Sequence, residues 1–440
     1  MAYYIALLAL VFAMFPYVQL YPLETYNQPY AVMSSALFLA IVPMSLARIP
    51  RNDRLALLYL AIIGFILFLI EVPRGLDDRE VLYLGAYITP LLVVPPIYYV
   101  MSHRPDTARR FLSGAIVLWI IVGAIQRFID LTFLNFLVTQ SEDLSVNIAA
   151  SGRGVLGFAP EPTHHGLHLI SMAAGLMLMK GNRIFVGLAL VGAVLLAGSS
   201  FAFLALACGT LVWAISSPLK RSWFFLLAIA GILLSSFLPL LLSGDSRLVL
   251  LIDTFLYSGF DVFIADASAN MRFSGILLPI QEAFSSGLTP IGLSWQNWLE
   301  MRSRLLVENS WAFSLSETGP ASGWGLVLVQ TGFLGLPFLA FMVKRFLVDF
   351  SDYQVGVLVG GAFFSFMGQL YLATPSFAIV YAAAIWAMAQ RRRSLLHMQN
   401  QKRRTGAHHA GTRPHQPPVA AAGPPASPGG PAVTPGLPQR

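Results

Sequence analysis

Residues 55–71 read LALLYLAIIGFILFLIE, an apolar run with no charged residue before its last position. A bilayer core roughly 30 Å thick needs about 20 mostly apolar residues per helix, so this run predicts a transmembrane helix. Similar runs recur along the 440 residues, of which 56% are hydrophobic and only 11% charged, with a mean hydropathy of +0.67. This composition excludes a soluble domain and predicts an all-α polytopic membrane protein.

Matching every apolar run to the thickness of the bilayer predicts about twelve transmembrane helices. The first run lacks a basic region before it, so we expect it to persist as a helix and not to be cleaved as a signal peptide. The predicted helices centre near residues 3–20, 30–47, 55–71, 82–101, 111–126, 164–180, 184–198, 200–217, 223–243, 323–343, 354–371 and 375–390.

Basic residues set the predicted orientation, because short loops rich in Lys and Arg remain in the cytoplasm. The basic clusters fall at alternate connections, which places both termini in the cytoplasm and the long loops 127–163 and 244–322 outside. The second loop contains apolar stretches, such as FSGILLPIQEAF at 273–284, that predict short helices on the membrane surface. The clusters are Arg48, Arg51 and Arg54; Arg104, Arg109 and Arg110; Lys180 and Arg183; Lys220 and Arg221; Lys344 and Arg345; and Arg391 to Arg393.

Beyond Arg393 the composition shifts to Pro, Gly, Ala, His and Arg. Such a segment cannot bury enough apolar surface to offset its ordering entropy. We therefore predict a membrane domain of residues 1–393 followed by a disordered, basic cytoplasmic tail of residues 394–440. The net charge of +7 favours anionic lipid headgroups, and not nucleic acid, as the partner of the basic residues.

A polar island, ASGRGVLGFAPEPTHHG at Ala150–Gly166, separates two long apolar runs on the predicted outer side. Ionisable residues collected where a chain meets the bilayer indicate a functional site. We expect the island to face the distant loop that contains Arg272. The ionisable residues of the island are Arg153, Glu161, His164 and His165.

The spacing of the island's ionisable residues predicts which of them share a helix face. If a helix begins near Pro162, then Glu161 and His165 lie on one face. His164 and His168 lie on another. Acid–base catalysis or substrate positioning is the first interpretation; a helix-dipole cap and interfacial histidines are the alternatives. A metal site would need further ligands that no motif supplies, so we expect no metal or other cofactor.

Loops rich in Lys and Arg usually lie in the cytoplasm, so arginine on the outer face indicates a specific role. A guanidinium binds phosphate through two hydrogen bonds and cannot lose its charge, which suits a diphosphate leaving group. Arg153 and Arg272 have no acidic neighbour in sequence and favour this interpretation.

Two other charged features of the outer loops are expected to be structural. Arg302 and Arg304 lie near Glu300 and Glu308 in sequence, so we expect each arginine to form an exposed ion pair with one of the acidic residues of the loop. The acidic turn at residues 77–80 is flanked by basic residues and is expected to be a solvated loop.

Four segments follow one another in an order that resembles a known family. Residues 153–162 carry an arginine, a glycine-rich stretch and then Glu-Pro. Residues 198–203 form a serine-bearing hairpin between two apolar runs. Asn270-Met271-Arg272 is followed by Pro290-Ile291-Gly292, and residues 324–335 leave the long outer loop. This arrangement resembles the bacterial O-antigen and exopolysaccharide polymerases of the Wzy type, within the O-antigen polymerase/ligase superfamily.

The resemblance implies a glycosyltransferase C-like membrane enzyme of the bacterial inner membrane. Such an enzyme polymerises oligosaccharide repeat units linked to undecaprenyl diphosphate, at the outer face of the membrane and without a metal. A chain-length regulator and a flippase are the implied partners. The implied diphosphate-binding residues are Arg153 and Arg272, with Arg247 a weaker third; Glu317 is a further substrate-binding candidate, and the base is Glu161, His164 or His165.

The chain also departs from the family's patterns. Related ligases carry a His-Asn pair where this chain has Glu308-Asn309, which favours a polymerase over an O-antigen ligase with the same fold and donor. The hairpin lacks the arginine that often follows its serine, which removes one expected phosphate contact. A polysaccharide transporter or flippase would show two related halves with charges near the midplane. A structural or regulatory membrane protein is the remaining alternative.

Overall fold

Helices account for every regular element that the computed structural model describes, in residues 1–21, 27–138, 154–215, 254, 257–261, 267–317, 319–320, 322–350 and 353–411. Wider π-helical turns at Gly192–Leu196 and Lys344–Val348 extend two of them. The helices are α1 (Ala2–Met14), α2 (Tyr30–Ile41), α3 (Arg51–Glu71), α4 (Asp78–His103), α5 (Pro105–Phe128), α6 (Pro162–Leu178), α7 (Arg183–Val191), α8 (Ser200–Ile215), α9 (Ala267–Ser285), α10 (Trp295–Glu308), α11 (Gly323–Thr331), α12 (Leu336–Val343), α13 (Tyr353–Gly368) and α14 (Pro375–Gly411).

Helix α3 contains the apolar run of residues 55–71 and illustrates how these runs fold. Leu60, Ile63 and Leu67 are buried against the rest of the protein, whereas Ile62 and Phe65 are about half exposed. A helix that is apolar on all sides, with one side packed on protein, can present its other side to lipid. The run therefore forms a helix with a protein-facing side and a side compatible with lipid.

The helices overlap the predicted spans wherever the two can be compared, and several of them, such as α1 and α2, are shorter than the span. Every predicted span overlaps a helix except residues 223–243, which lie outside the described residues. Within the described residues, four segments are long and apolar enough to cross a bilayer: Arg51–Arg74, Asp78–His103, Pro105–Phe128 and Gly323–Val348. The prediction of an all-helical membrane protein is confirmed at this level. The number of twelve, the orientation and the glycosyltransferase C-like arrangement stay predictions.

Helices α8 and α13 form the most extensive helix–helix contact among the described elements. A β-carbon added to Gly209 of α8 would lie 2.5 Å from the Gly361 nitrogen and 2.5 Å from the Val357 carbonyl oxygen. Small residues let two helix backbones approach closely inside a membrane, where packing takes the place of the hydrophobic effect. Position 209 therefore requires glycine, because the backbone of α13 leaves no room there for a β-carbon.

Replacing Gly209 by alanine is expected to lower the free energy of unfolding by about 1–3 kcal/mol, the usual cost of overpacking. Thermal unfolding of the purified protein in detergent micelles measures this change. Gly114→Ala on α5 is the matched control, because no described atom lies within 4 Å of a β-carbon added there. Alanine should leave stability at that position unchanged or slightly raised. Equal stability of the two variants would contradict the close contact.

A buried ion pair between Asp53 and Arg345 connects α3 with the helical turn that follows α12. Arg345 donates from Nε to Asp53 Oδ1 (2.8 Å), from Nη2 to Asp53 Oδ2 (2.5 Å) and from Nη1 to Asp349 Oδ2 (2.8 Å). The Tyr381 hydroxyl of α14 donates to Asp53 Oδ1 (3.2 Å). Two carboxylates thus neutralise Arg345 inside a helical segment, and its assignment to a cytoplasmic connection stays a prediction.

The last helix, α14, extends into the segment predicted to be disordered. That prediction is wrong for residues 394–411, which are helical, while residues 412–440 lie outside the described residues. Residues 394–411 contain no proline and start with good helix formers, so a helix already nucleated upstream can propagate through them. By their internal contacts, Met1–Gln390 and Arg391–Arg440 are two separate units.

Candidate functional site

Helix α6 begins at the residues that the sequence indicated. Glu161 is the N-cap residue with extended backbone, and Pro162 occupies the first helical position, where its missing N–H costs no hydrogen bond. The His165 amide donates to the Glu161 carbonyl oxygen (3.1 Å), which closes the first turn. The Glu161 side chain makes no capping hydrogen bond. Its carboxylate is therefore available for a more distant partner.

That partner is Arg272 of α9. Arg272 Nη2 donates to Glu161 Oε2 (3.2 Å), across 111 positions of sequence. The Arg272 side chain is 9% exposed and the Glu161 side chain 32% exposed, so the carboxylate has the greater access to solvent. The expected contact between the polar island and the loop of Arg272 is present in the structure.

Asn270 fixes the start of α9 and with it the position of Arg272. Its side-chain amide donates to the Trp311 carbonyl oxygen (2.8 Å), and its side-chain oxygen accepts from the Phe313 amide (2.8 Å). The Ser274 hydroxyl, one turn further on, donates to the Ser314 carbonyl oxygen (3.3 Å). Since Asn270 and Ser274 are fully buried, these hydrogen bonds hold the segment after α10 against α9.

His164 lies within electrostatic reach of the ion pair, and the charges of both Glu161 and Arg272 act on it. The rings of His164 and His168 meet the ring of Tyr17 edge-on, with centroids 5.8 Å and 6.2 Å away. The prediction that these two histidines share a helix face is therefore confirmed. Tyr17 also lies within electrostatic reach of Glu161.

His168 connects three parts of the chain. A carbonyl oxygen can only accept, so His168 Nε2 donates to Met14 O at the end of α1 (2.8 Å). In the neutral ring, Nδ1 then accepts from the Ser376 hydroxyl at the start of α14 (2.5 Å). His168 and Ser376 are both fully buried. His168 therefore connects α6 to the end of α1 and to the start of α14, one helical turn after His164.

His165 holds the backbone of the polar island. Its Nδ1 donates to the Val155 carbonyl oxygen (3.1 Å), and the ring is fully buried. Gly157 has φ of +60°, and a β-carbon there would lie 2.8–3.0 Å from the His165 ring, so the position requires glycine. Gln126 of α5 accepts from the Gly157 amide (2.6 Å) and donates to its carbonyl oxygen (3.1 Å). The His165 ring thus binds the backbone of the island, whereas the charge of Glu161 acts on His164.

The segments that resemble the polymerase family also contact one another. The Val155 amide donates to the Leu196 carbonyl oxygen (2.9 Å), beside the turn at Gly198. The amides of Ile291 and Gly292 donate to the carbonyl oxygens of Val329 (3.1 Å) and Gln330 (3.2 Å). These are among the last carbonyls of α11, which the helix itself cannot satisfy.

The remaining predicted site residues have different surroundings. Arg153 and Arg247 lie outside the described residues. Glu317 is 74% exposed and pairs with Arg302 (3.3 Å), and Arg304 pairs with Glu282. The expectation that Arg302 and Arg304 pair with acidic residues of the loop is confirmed, and the partners are not the nearby Glu300 and Glu308. Folding of the loop brings acids from more distant positions to these arginines.

Sequence reasoning missed two contributions near the outer loops. Tyr17 and Ser376 carry no motif, and only the packing of α1 and α14 against α6 brings them to the histidines. The turn at residues 77–80 is not simply solvated, because Glu80 is buried and accepts from the Asp77 amide (2.7 Å) and the Trp295 amide (2.8 Å). The pattern of Asp77 followed by Glu80 three residues later is a capping-box signal that could have indicated this.

The site combines a nearly buried cation, a partly exposed carboxylate and an adjacent imidazole. A guanidinium in this setting can bind an anionic group, and a carboxylate or imidazole can accept a proton from a hydroxyl group. Among the described residues, no group of three or more His, Cys, Asp or Glu side chains is arranged to hold a metal ion.

In comparisons with known proteins, neither a protein-family model nor a curated protein sequence matches the chain.

Proposed function

We propose that this protein polymerises oligosaccharide repeat units linked to undecaprenyl diphosphate, at the outer face of the bacterial inner membrane. The observation that carries the proposal is the Arg272–Glu161 ion pair, which joins two segments of the predicted outer loops. An all-helical membrane fold and the order of the four family-like segments support it. The same site would suit an O-antigen ligase, which differs in its acceptor.

In this mechanism Arg272 binds the diphosphate of the lipid-linked donor. A diphosphate offers the guanidinium two charge-assisted hydrogen bonds and competes with Glu161 for it. Arg153 and Arg247 add positive charge, so the leaving group is stabilised without a metal ion. When the donor binds, Arg272 exchanges Glu161 for the diphosphate. The Glu161 carboxylate can then interact with the acceptor.

Glu161 then acts as the general base. It accepts the proton of the acceptor hydroxyl while the hydroxyl oxygen forms a bond to the anomeric carbon of the donor sugar. The bond between that carbon and the diphosphate oxygen breaks, and its electron pair leaves with the diphosphate. His164 is the second candidate for the base, since the charges of Glu161 and Arg272 act on it. His165 maintains the loop that carries Glu161.

The test compares cells that lack the protein with the same cells complemented by it. Loss of a polymerase leaves single repeat units on the outer face and no long polymer. Loss of a ligase leaves long polymer on the lipid carrier, and loss of a flippase leaves single units on the cytoplasmic face. Gel electrophoresis of the polymer and labelling of the lipid-linked units with a membrane-impermeant reagent separate the three. Either of the last two results would overturn the proposal.

A further inference from the structure

A cleft with both apolar and charged lining lies at the other end of α9 from Arg272. It has a volume of about 760 Å³ and is bounded by the ends of α3 and α9, by α10 and by the residues that follow α11. Apolar residues, among them Leu67, Met301 and Phe333, form the larger part of its lining, and charged and polar side chains form the remainder. Ala283, in the cleft, and Arg272 are eleven residues apart on one helix, which corresponds to roughly 16 Å.

The charges of this cleft differ from those of the Arg272 site. Its two arginines are each paired with a glutamate: Arg74 with Glu71 (3.1 Å) and Arg304 with Glu282. Glu300 adds a third carboxylate and is exposed. Two arginines against three glutamates leave a net charge of −1. A phosphate or diphosphate is therefore disfavoured here.

The hydrogen-bonding groups of the cleft are mainly acceptors. Thr289 donates its hydroxyl to the Ser286 carbonyl oxygen (2.8 Å), and Ser286 donates its own to Ala283 O (3.2 Å). Asn297 donates its side-chain amide to Ile291 O (2.8 Å). Because the two hydroxyl protons and one amide proton are used within the protein, the hydroxyl and amide oxygens can accept from a ligand. The cleft thus favours a ligand rich in hydroxyl or amino groups.

We propose that this cleft binds sugar units of the polymer, separately from the site of glycosyl transfer. Sugar hydroxyls supply donors to Glu300, Thr289 and Asn297, and the apolar faces of sugar rings can lie on the apolar lining around Phe333. A ligand that reaches from Arg272 to the cleft must be longer than one sugar. This inference rests on the proposed polymerase function, and it assigns the cleft to retention of the acceptor chain.

Two variants test the cleft in cells that depend on this protein for polymer. Ser286→Trp fills the cleft, and Glu300→Gln removes its exposed carboxylate without changing its shape. Glu300→Gln removes a charged hydrogen bond, which should weaken binding of the chain about tenfold. Ser286→Trp should prevent the chain from entering the cleft. Both variants should therefore still join repeat units but give shorter polymers. Ser303→Trp and Glu308→Gln are matched controls, since both residues lie exposed on α10 outside the cleft.

The readouts are polymer length on gels, the amount of each variant in the membrane and its thermal unfolding. Normal polymer length in both cleft variants, with each folded and present, would overturn the cleft proposal alone. If the proposed polymerase function is itself wrong, cells without the protein still make long polymer. This result is distinguishable from failure of the cleft proposal. Phospholipid that co-purifies with the wild type and is lost from Ser286→Trp, with polymer length unchanged, would assign the cleft to lipid instead.

Discussion

Replacing Asp53 by alanine is expected to destabilise the protein by about 3–5 kcal/mol, because the variant leaves the Arg345 guanidinium buried without its main partner. The two side chains are 2% and 6% exposed. Asp349 still pairs with Arg345 (2.8 Å), so part of the charge remains compensated. Even so, the larger share of the hydrogen bonds of Arg345 goes to Asp53.

Thermal unfolding of the purified protein in detergent measures this effect. Asp106→Ala is the control, because it removes an ion pair with Arg109 in which the Asp106 side chain is 77% exposed. Such exposed pairs contribute about 0–1 kcal/mol. The double variant Asp53→Leu with Arg345→Met should recover part of the lost stability, since it removes both charges of the buried pair and leaves only the Asp349 carboxylate, which is 19% exposed, without Arg345. If Asp53→Ala were no less stable than Asp106→Ala, the buried pair would not hold α3 to α12.

Replacing Glu161 by glutamine is expected to lower the rate of glycosyl transfer by about 10²–10⁴-fold, the usual contribution of a general base. Glutamine keeps the size of the side chain and can accept a hydrogen bond from Arg272, so the fold should be retained. Arg272→Ala should lower the rate by about 10²–10³-fold, because it removes a donor to the leaving group. The measurement is the rate at which membranes containing each variant join lipid-linked repeat units.

The controls separate catalysis from folding at this site. Glu308→Gln changes an exposed glutamate of the same loop and should leave the rate unchanged. His164→Ala identifies the base, since a larger loss of rate in that variant than in Glu161→Gln would transfer the role to His164. Normal rates in both Glu161→Gln and Arg272→Ala would exclude the ion pair from catalysis.

The positions of the helices followed closely from local sequence, as residues 55–71 and Pro162 illustrate. An apolar run of bilayer length must satisfy its own backbone hydrogen bonds, and a helix does so within the segment. The partners of charged residues did not follow. Arg304 pairs with Glu282 instead of a nearer acid, and Asp53, which stands between two arginines in a predicted loop, is buried.

The sequence by itself determined that this is an all-helical membrane protein and that a polar island opens α6. It did so because hydropathy and helix-start signals act over a few turns of one chain segment. Only the tertiary structure decided that Glu161 meets Arg272, that His164 stands beside them and that His165 holds the loop. These contacts depend on how distant helices pack, and that is set by side-chain shape and buried hydrogen bonds across the whole fold.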